Sequence, residues 1–162
     1  MSKRFAAVIV CSALSLIGAT GCALADPIGR YECNVLDTPN FVPIGDRNDH
    51  SLLIFEYSCS GVDGLLKGYV HTASSVSELD GDKVTFLRGG GFHRSADGLA
   101  VTQITDDDRP AAVKDGKPGG PNSSGSGMFK FASGTLAPRT GKTFKFTTTQ
   151  KGLGRFDMVF TD

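Results

Sequence analysis

Two histidines of this chain stand beside groups with which they could do chemistry. His50 follows Asp46 and Asp49, and an Asp–His pair can act as a general base or hold a divalent metal. Neighbouring loop residues of these types also cap turns or sit in solvent, so Asp46 and His50 are candidates only. His93 and Arg94 follow Gly89-Gly90-Gly91. Backbone amides freed by glycines beside cationic side chains can hold an anion. The spacing matches no phosphate-binding loop, however, and a bulge, a bend or a close backbone approach is the simpler account of the triplet. Asp106-Asp107-Asp108 bring calcium to mind, but calcium loops space their oxygens at alternate positions, with a turning glycine and a distal glutamate. None of that is present and Arg109 offsets the charge, so the run reads as a solvated acidic loop. There is no Gly-x-Ser-x-Gly elbow and no His-Glu-x-x-His pair, and no residue set here calls for a metal or a cofactor.

The compartment narrows the chemistry further. Lys3 and Arg4 precede an uncharged apolar run over residues 5–17, and Ala23-Leu24-Ala25 offers the small side chains that a signal peptidase admits. We expect residues 1–25 to be a signal peptide and residues 26–162 to form a single domain, secreted or periplasmic. The alternative is a lipoprotein, with Ala19-Thr20-Gly21 before an acylated Cys22. No run approaches the ~20 apolar residues of a membrane-spanning helix. Removing Lys3 and Arg4 from 17 basic residues leaves 15 against 17 acidic ones, a net charge of −2. That sign disfavours nucleic acid or an anionic membrane as a partner. Cys11 leaves with the leader, and Cys33 and Cys59 are expected to pair in an oxidising compartment.

The elements that must position these residues are strands. Period-two alternation is broken by Gly, Pro, Asn and Asp almost throughout. Strands are expected at about 29–36, 51–60, 65–73, 83–88, 99–105, 128–133, 143–148 and 155–160, with turns at Asp80-Gly81 and Asp97-Gly98. A polar loop is expected at 37–49 and a long flexible one at about 106–125, the latter with three prolines and four glycines. Phe129-Lys130-Phe131 echoes Phe144-Lys145-Phe146, each placing two rings on one face. Eight antiparallel strands suit a closed small β-barrel, with a two-sheet sandwich as the alternative. Its lining would include Phe86, Phe129, Phe131, Phe144, Phe146, Phe156 and Phe160.

The segments Gly45-Asp46-Arg47-Asn48-Asp49-His50-Ser51, Cys59 and Gly125-Ser126-Gly127-Met128-Phe129-Lys130-Phe131 with Gly134 resemble a group of secreted bacterial β-barrels related to allene oxide cyclase and dirigent proteins. The resemblance implies an eight-stranded antiparallel barrel. No active-site residue of the cyclase matches a position here, so it implies no catalytic role. Function is therefore read from what is present. The leading expectation is a non-enzymatic barrel that binds a small apolar ligand or a protein partner. The alternatives are an isomerase- or cyclase-like enzyme using the cavity, and a periplasmic hydrolase inhibitor.

Overall fold

The computed structural model describes residues 27–37, 40–108, 113–114, 117–118 and 122–162. The expected signal segment and Cys22 lie outside them. The strands are β1 (Pro27–Val35), β2 (Asn40–Pro43), β3 (His50–Gly64), β4 (Val70–Asp80), β5 (Lys83–Ser95), β6 (Gly98–Asp108), a short pair β7 (Val113–Lys114) and β8 (Lys117–Pro118), β9 (Ser124–Ala132), β10 (Thr143–Gly152) and β11 (Arg155–Thr161). Eight of them run in the order β1-β11-β10-β9-β6-β5-β4-β3, each antiparallel to its neighbours. β3 pairs back onto β1, which closes the sheet into a barrel. β2 is a ninth strand on the edge of β3. Among the described residues no helix is long and apolar enough to cross a membrane.

Several expected boundaries move, and the strand expected at 83–88 continues through the glycine triplet to Ser95. The loop at 37–49 contains β2, whose Phe41 and Val42 pair with Leu53 and Leu52. The strand expected at 65–73 is displaced to β4. Gly64 and Gly68 take positive φ and turn the chain there, while the serine-rich tail of β4 keeps strict alternation, with His71, Ala73, Ser75, Ser77 and Leu79 buried. The long loop is shorter at both ends than expected: Asp106, Asp107 and Asp108 belong to β6 and pair with Ser126, Gly125 and Ser124 of β9.

Inside, one row of cross-strand partners carries Cys33, Cys59, His71, His93, Ala100 and Ala132 from β1 round to β9. Phe129, Phe144, Phe146, Phe156 and Phe160 fill the space beside it, all buried. Of the other two expected lining residues, one stays on the inner face and one does not. Phe86 is half-buried, at the Ser77 level of β4. Phe131 is 50 % exposed on the outer face. The cause is a bulge: Thr102 pairs with Phe129 but Val101 pairs with Phe131, so Lys130 is an extra residue in β9. One inserted residue reverses the facing of the positions C-terminal to it. Phe131 therefore points out and Ala132 points in. One end of the barrel is sealed by Leu66 and Tyr69 from the β3–β4 turn and by Leu136 from a 3₁₀ turn at Gly134–Arg139, with a Tyr69–Thr135 hydroxyl hydrogen bond of 2.7 Å.

Cys33 and Cys59 are directly opposed on β1 and β3 and form the expected disulfide, both buried. Its closed loop spans 26 residues, for which chain-entropy loss implies a contribution of roughly 3.5 kcal/mol. Replacing both cysteines by serine is expected to lower the unfolding free energy by about that much, read from the urea midpoint, while circular dichroism stays that of a β-protein.

Candidate functional site

The polar side chains that the fold buries together are not the Asp46–His50 pair that the sequence marks most strongly. His71 and His93 are cross-strand partners on β4 and β5. Their rings stack inside the barrel with centroids 4.0 Å apart. The Tyr31 hydroxyl of β1 lies 2.7 Å from His93 Nδ1, Thr102 Oγ1 of β6 lies 3.1 Å from His93 Nε2, and the Gly91 carbonyl lies 3.3 Å from the same Thr102 oxygen. One assignment leaves no donor orphaned. Tyr31 donates to Nδ1, Nε2–H donates to Thr102, and Thr102 donates to the Gly91 carbonyl. His71 Nδ1–H donates to the Phe92 carbonyl at 3.2 Å.

This cluster is neutral. Burial pushes His71 down to about 4, against the Phe92 carbonyl, which favours its N–H. Burial holds His93 well below 6.5, and the neighbouring His71 adds to the effect. Burial, then the proximity of Tyr69, raises the Tyr31 phenol far above its usual value. Water is nearly excluded as well. The cavity bordered by Tyr57, His71, Thr102, Phe144, Met158 and Phe160 has a volume of about 10 Å³, the lower limit for a single water.

The glycine triplet explains how two imidazoles fit. A Cβ on Gly91 would sit 2.5 Å from the Ala73 Cβ and 2.8 Å from His71 Cε1, and one on Gly90 would meet the Thr102 carbonyl at 2.3 Å. The triplet is thus a close approach inside a continuous strand. It does not build the anion site that His93 and Arg94 suggest: His93 is fully buried and Arg94 is exposed on the opposite face.

His50 and Asp46 do come together, 2.5 Å apart, at the start of β3. The other ring nitrogen lies 2.8 Å from Glu78 Oε1. Both nitrogens donate to carboxylates, which stabilises the imidazolium and raises its pKa, chiefly through Asp46 and then Glu78. Arg47 forms a two-point contact with Asp80, at 3.1 and 2.7 Å, and another at 2.7 Å with Asp46. The His50 hydrogen bond, with Arg47 nearby, holds the Asp46 carboxyl below the usual range, and the Arg47 hydrogen bond does the same for Asp80. The clamp borders a surface groove of about 620 Å³ lined by Phe41, Pro43, Arg47 and Gly81 among others. A doubly hydrogen-bonded imidazolium has no lone pair, so it can take neither a substrate proton nor a metal. Asp106, Asp107 and Asp108 alternate along β6 and cannot converge on one cation.

No family model, curated protein sequence or solved structure matches the chain. His71 lies within the strand expected at 65–73, but only the alternation carried on to Leu79 marks its face as the inner one. Tyr31 and Thr102 carry no mark in sequence beyond their inward phase.

The three histidines are expected to show three states by imidazole nitrogen NMR. His50 should titrate above 6.5, with both nitrogens protonated below its folded value, His93 should be the Nε2–H tautomer, and His71 the Nδ1–H tautomer titrating at about 4. These shifts make stability depend on pH. His50, with a raised folded value, stabilises below pH 6.5 and loses that contribution as pH rises through its folded value. His71 and His93, with lowered values, leave the unfolded chain to bind protons first, so stability falls as pH drops from 6.5, through about 4 for His71. Thr102→Val, which removes the acceptor from a buried N–H, is expected to cost about 1–3 kcal/mol in urea unfolding.

Proposed function

We propose that the chain is exported and acts as a non-catalytic binding protein whose partner, another protein, is engaged on the outside of the barrel. The observation that carries this is how little space the described residues leave beside the ring cluster. About 10 Å³ remains beside the ring cluster, whereas small-molecule sites have volumes of about 300–1,000 Å³. A small apolar ligand between the phenylalanines would require the barrel to open. An isomerase or cyclase needs a cavity beside a group with a free lone pair or an acidic proton. His93 has both nitrogens engaged within the protein, and so has His50. The buried disulfide and neutral core suit a rigid scaffold that presents a surface. The leader over residues 1–25 and the oxidised Cys33–Cys59 pair support export to the periplasm or beyond. Kinship with the allene oxide cyclase-type barrels belongs to the same proposal and concerns architecture alone.

Native mass spectrometry of the protein recovered from its own export route tests both parts. The expected mass is that of residues 26–162 with one disulfide and no retained small molecule. An apolar compound that stays bound until the barrel is unfolded would overturn the binding mode, and a diacylglyceryl adduct at Cys22 would replace the free form by the anchored one.

A further inference from the structure

We propose that the outer face of β5, β6 and β9 is a docking surface for an acidic polypeptide segment bearing an apolar side chain. This rests on the reading that the partner sits outside the barrel, and it names the face and the partner's chemistry.

Phe92, Val101 and Phe131 are consecutive cross-strand partners on β5, β6 and β9. Phe92 is 56 % exposed and Phe131 50 %, with Val101 half-buried between them. Strands are ~4.8 Å apart, so the two phenylalanines stand ~10 Å apart and flank Val101 as a shallow trough. Plain alternation would have buried Phe131; the extra Lys130 turns it outward, and bulges re-aim side chains in this way. A two-ring apolar row on a polar sheet surface marks a contact site, and Phe, Met and Arg are the residue types enriched at protein interfaces. Half-buried Met128 adjoins the row on β9.

Charge selects the occupant. Between Arg88 and Arg94, Leu99 and Gln103, and Met128 and Phe131, the three strands carry Arg88, Arg94 and Lys130 and no carboxylate. All three cations are exposed, and none has a carboxylate partner among the described residues. A second copy docking through the same face would set these cations against their own images, which is repulsive. Carboxylates reaching Arg88, Arg94 and Lys130 on either side of an apolar side chain seated over Val101 satisfy both features.

The test titrates the full mature protein with a synthetic peptide of alternating Glu and Leu, with backbone NMR as the readout. Saturable shifts are expected at the amides of Phe92, Val101 and Phe131, weakening with added salt. Phe92→Ser with Phe131→Ser, and separately Arg94→Glu with Lys130→Glu, should each weaken binding by about tenfold or more, while unmoved His71 and His93 imidazole signals confirm an intact barrel. The proposal is overturned by absent binding, by binding that neither double variant weakens, or by equal binding of a Lys/Leu peptide. Phosphatidylglycerol vesicles that bind where the peptide does not would also overturn it and make the face a membrane surface. Failure here is distinct from failure of the underlying reading: a small molecule retained inside the barrel defeats that reading, whereas peptide binding indifferent to Phe92 and Phe131 defeats only the choice of face.

Discussion

Everything inside this protein depends on β1 pairing on both of its edges, with β11 on one side and β3 on the other. Without that strand the sheet is an open ribbon whose inner phenylalanines face water. With it the interior has a fixed cross-section, which side chains must fill to ordinary packing density. The disulfide lies on the seam itself, since Cys33 and Cys59 are paired positions of β1 and β3. A covalent link at the seam removes from the unfolded ensemble the chain states in which the first strand is farthest from its partner. The sealed end is a consequence of the same closure. Ile28 at the start of β1 is fully buried, and its carbonyl accepts from the Leu65 N–H at 2.8 Å, which fastens the β3–β4 turn over the barrel end.

A closed apolar interior tolerates polar groups only when they satisfy one another. Tyr31, His93, Thr102 and the Gly91 carbonyl do so in one chain across β1, β5 and β6. The contrast with His50 shows how far environment governs a side chain. His50 touches two carboxylates at the rim and is driven towards the cation. His71 touches a stacked imidazole and aromatic rings in the interior and is driven towards the neutral form. In the first case the charge joins the β2–β3 loop to β4; in the second, neutrality is what permits burial. The inner pair borders only about 10 Å³ of free space, and the rim histidine has a carboxylate at each ring nitrogen.

The parts of this structure that were legible in sequence are those set by alternation and by turn chemistry. Phe144, Phe146, Phe156, Met158 and Phe160 lie on the inner face as period two requires, and the hairpin at Asp80–Lys83 turns at Gly81 with φ of 59°. The parts that were not legible depend on contacts between distant segments. Ser75 and Ser77 read as loop residues, yet they line the inside of β4 because β3 and β5 hold that strand on both sides. His71 acquires a role only when His93, 22 positions later in the chain, is placed opposite it. The Asp46–His50 pairing was visible as a spacing. Glu78, which occupies the second nitrogen, was not, because it arrives from another strand.

The bulge at Lys130 shows why the echo between Phe129-Lys130-Phe131 and Phe144-Lys145-Phe146 is not an echo in space. β10 has no extra residue at the second triplet, so both of its rings go inward. β9 carries one between its two rings, so only Phe129 does. The inward position that Phe131 gives up is taken by Ala132, level with Ala100 of β6 and in the same buried cluster as Leu136. A second ring at that level would compete for the space that Leu136 of the 3₁₀ turn occupies. One inserted residue thus serves two ends: it leaves a small side chain where the barrel is plugged, and it moves a large apolar one to the surface beside Phe92. Leaving that ring half exposed gives up roughly half the burial free energy of a phenylalanine side chain, about 1 kcal/mol. An unpartnered ring keeps that deficit, whereas a partner that covers the Phe92–Val101–Phe131 row recovers part of it as binding energy.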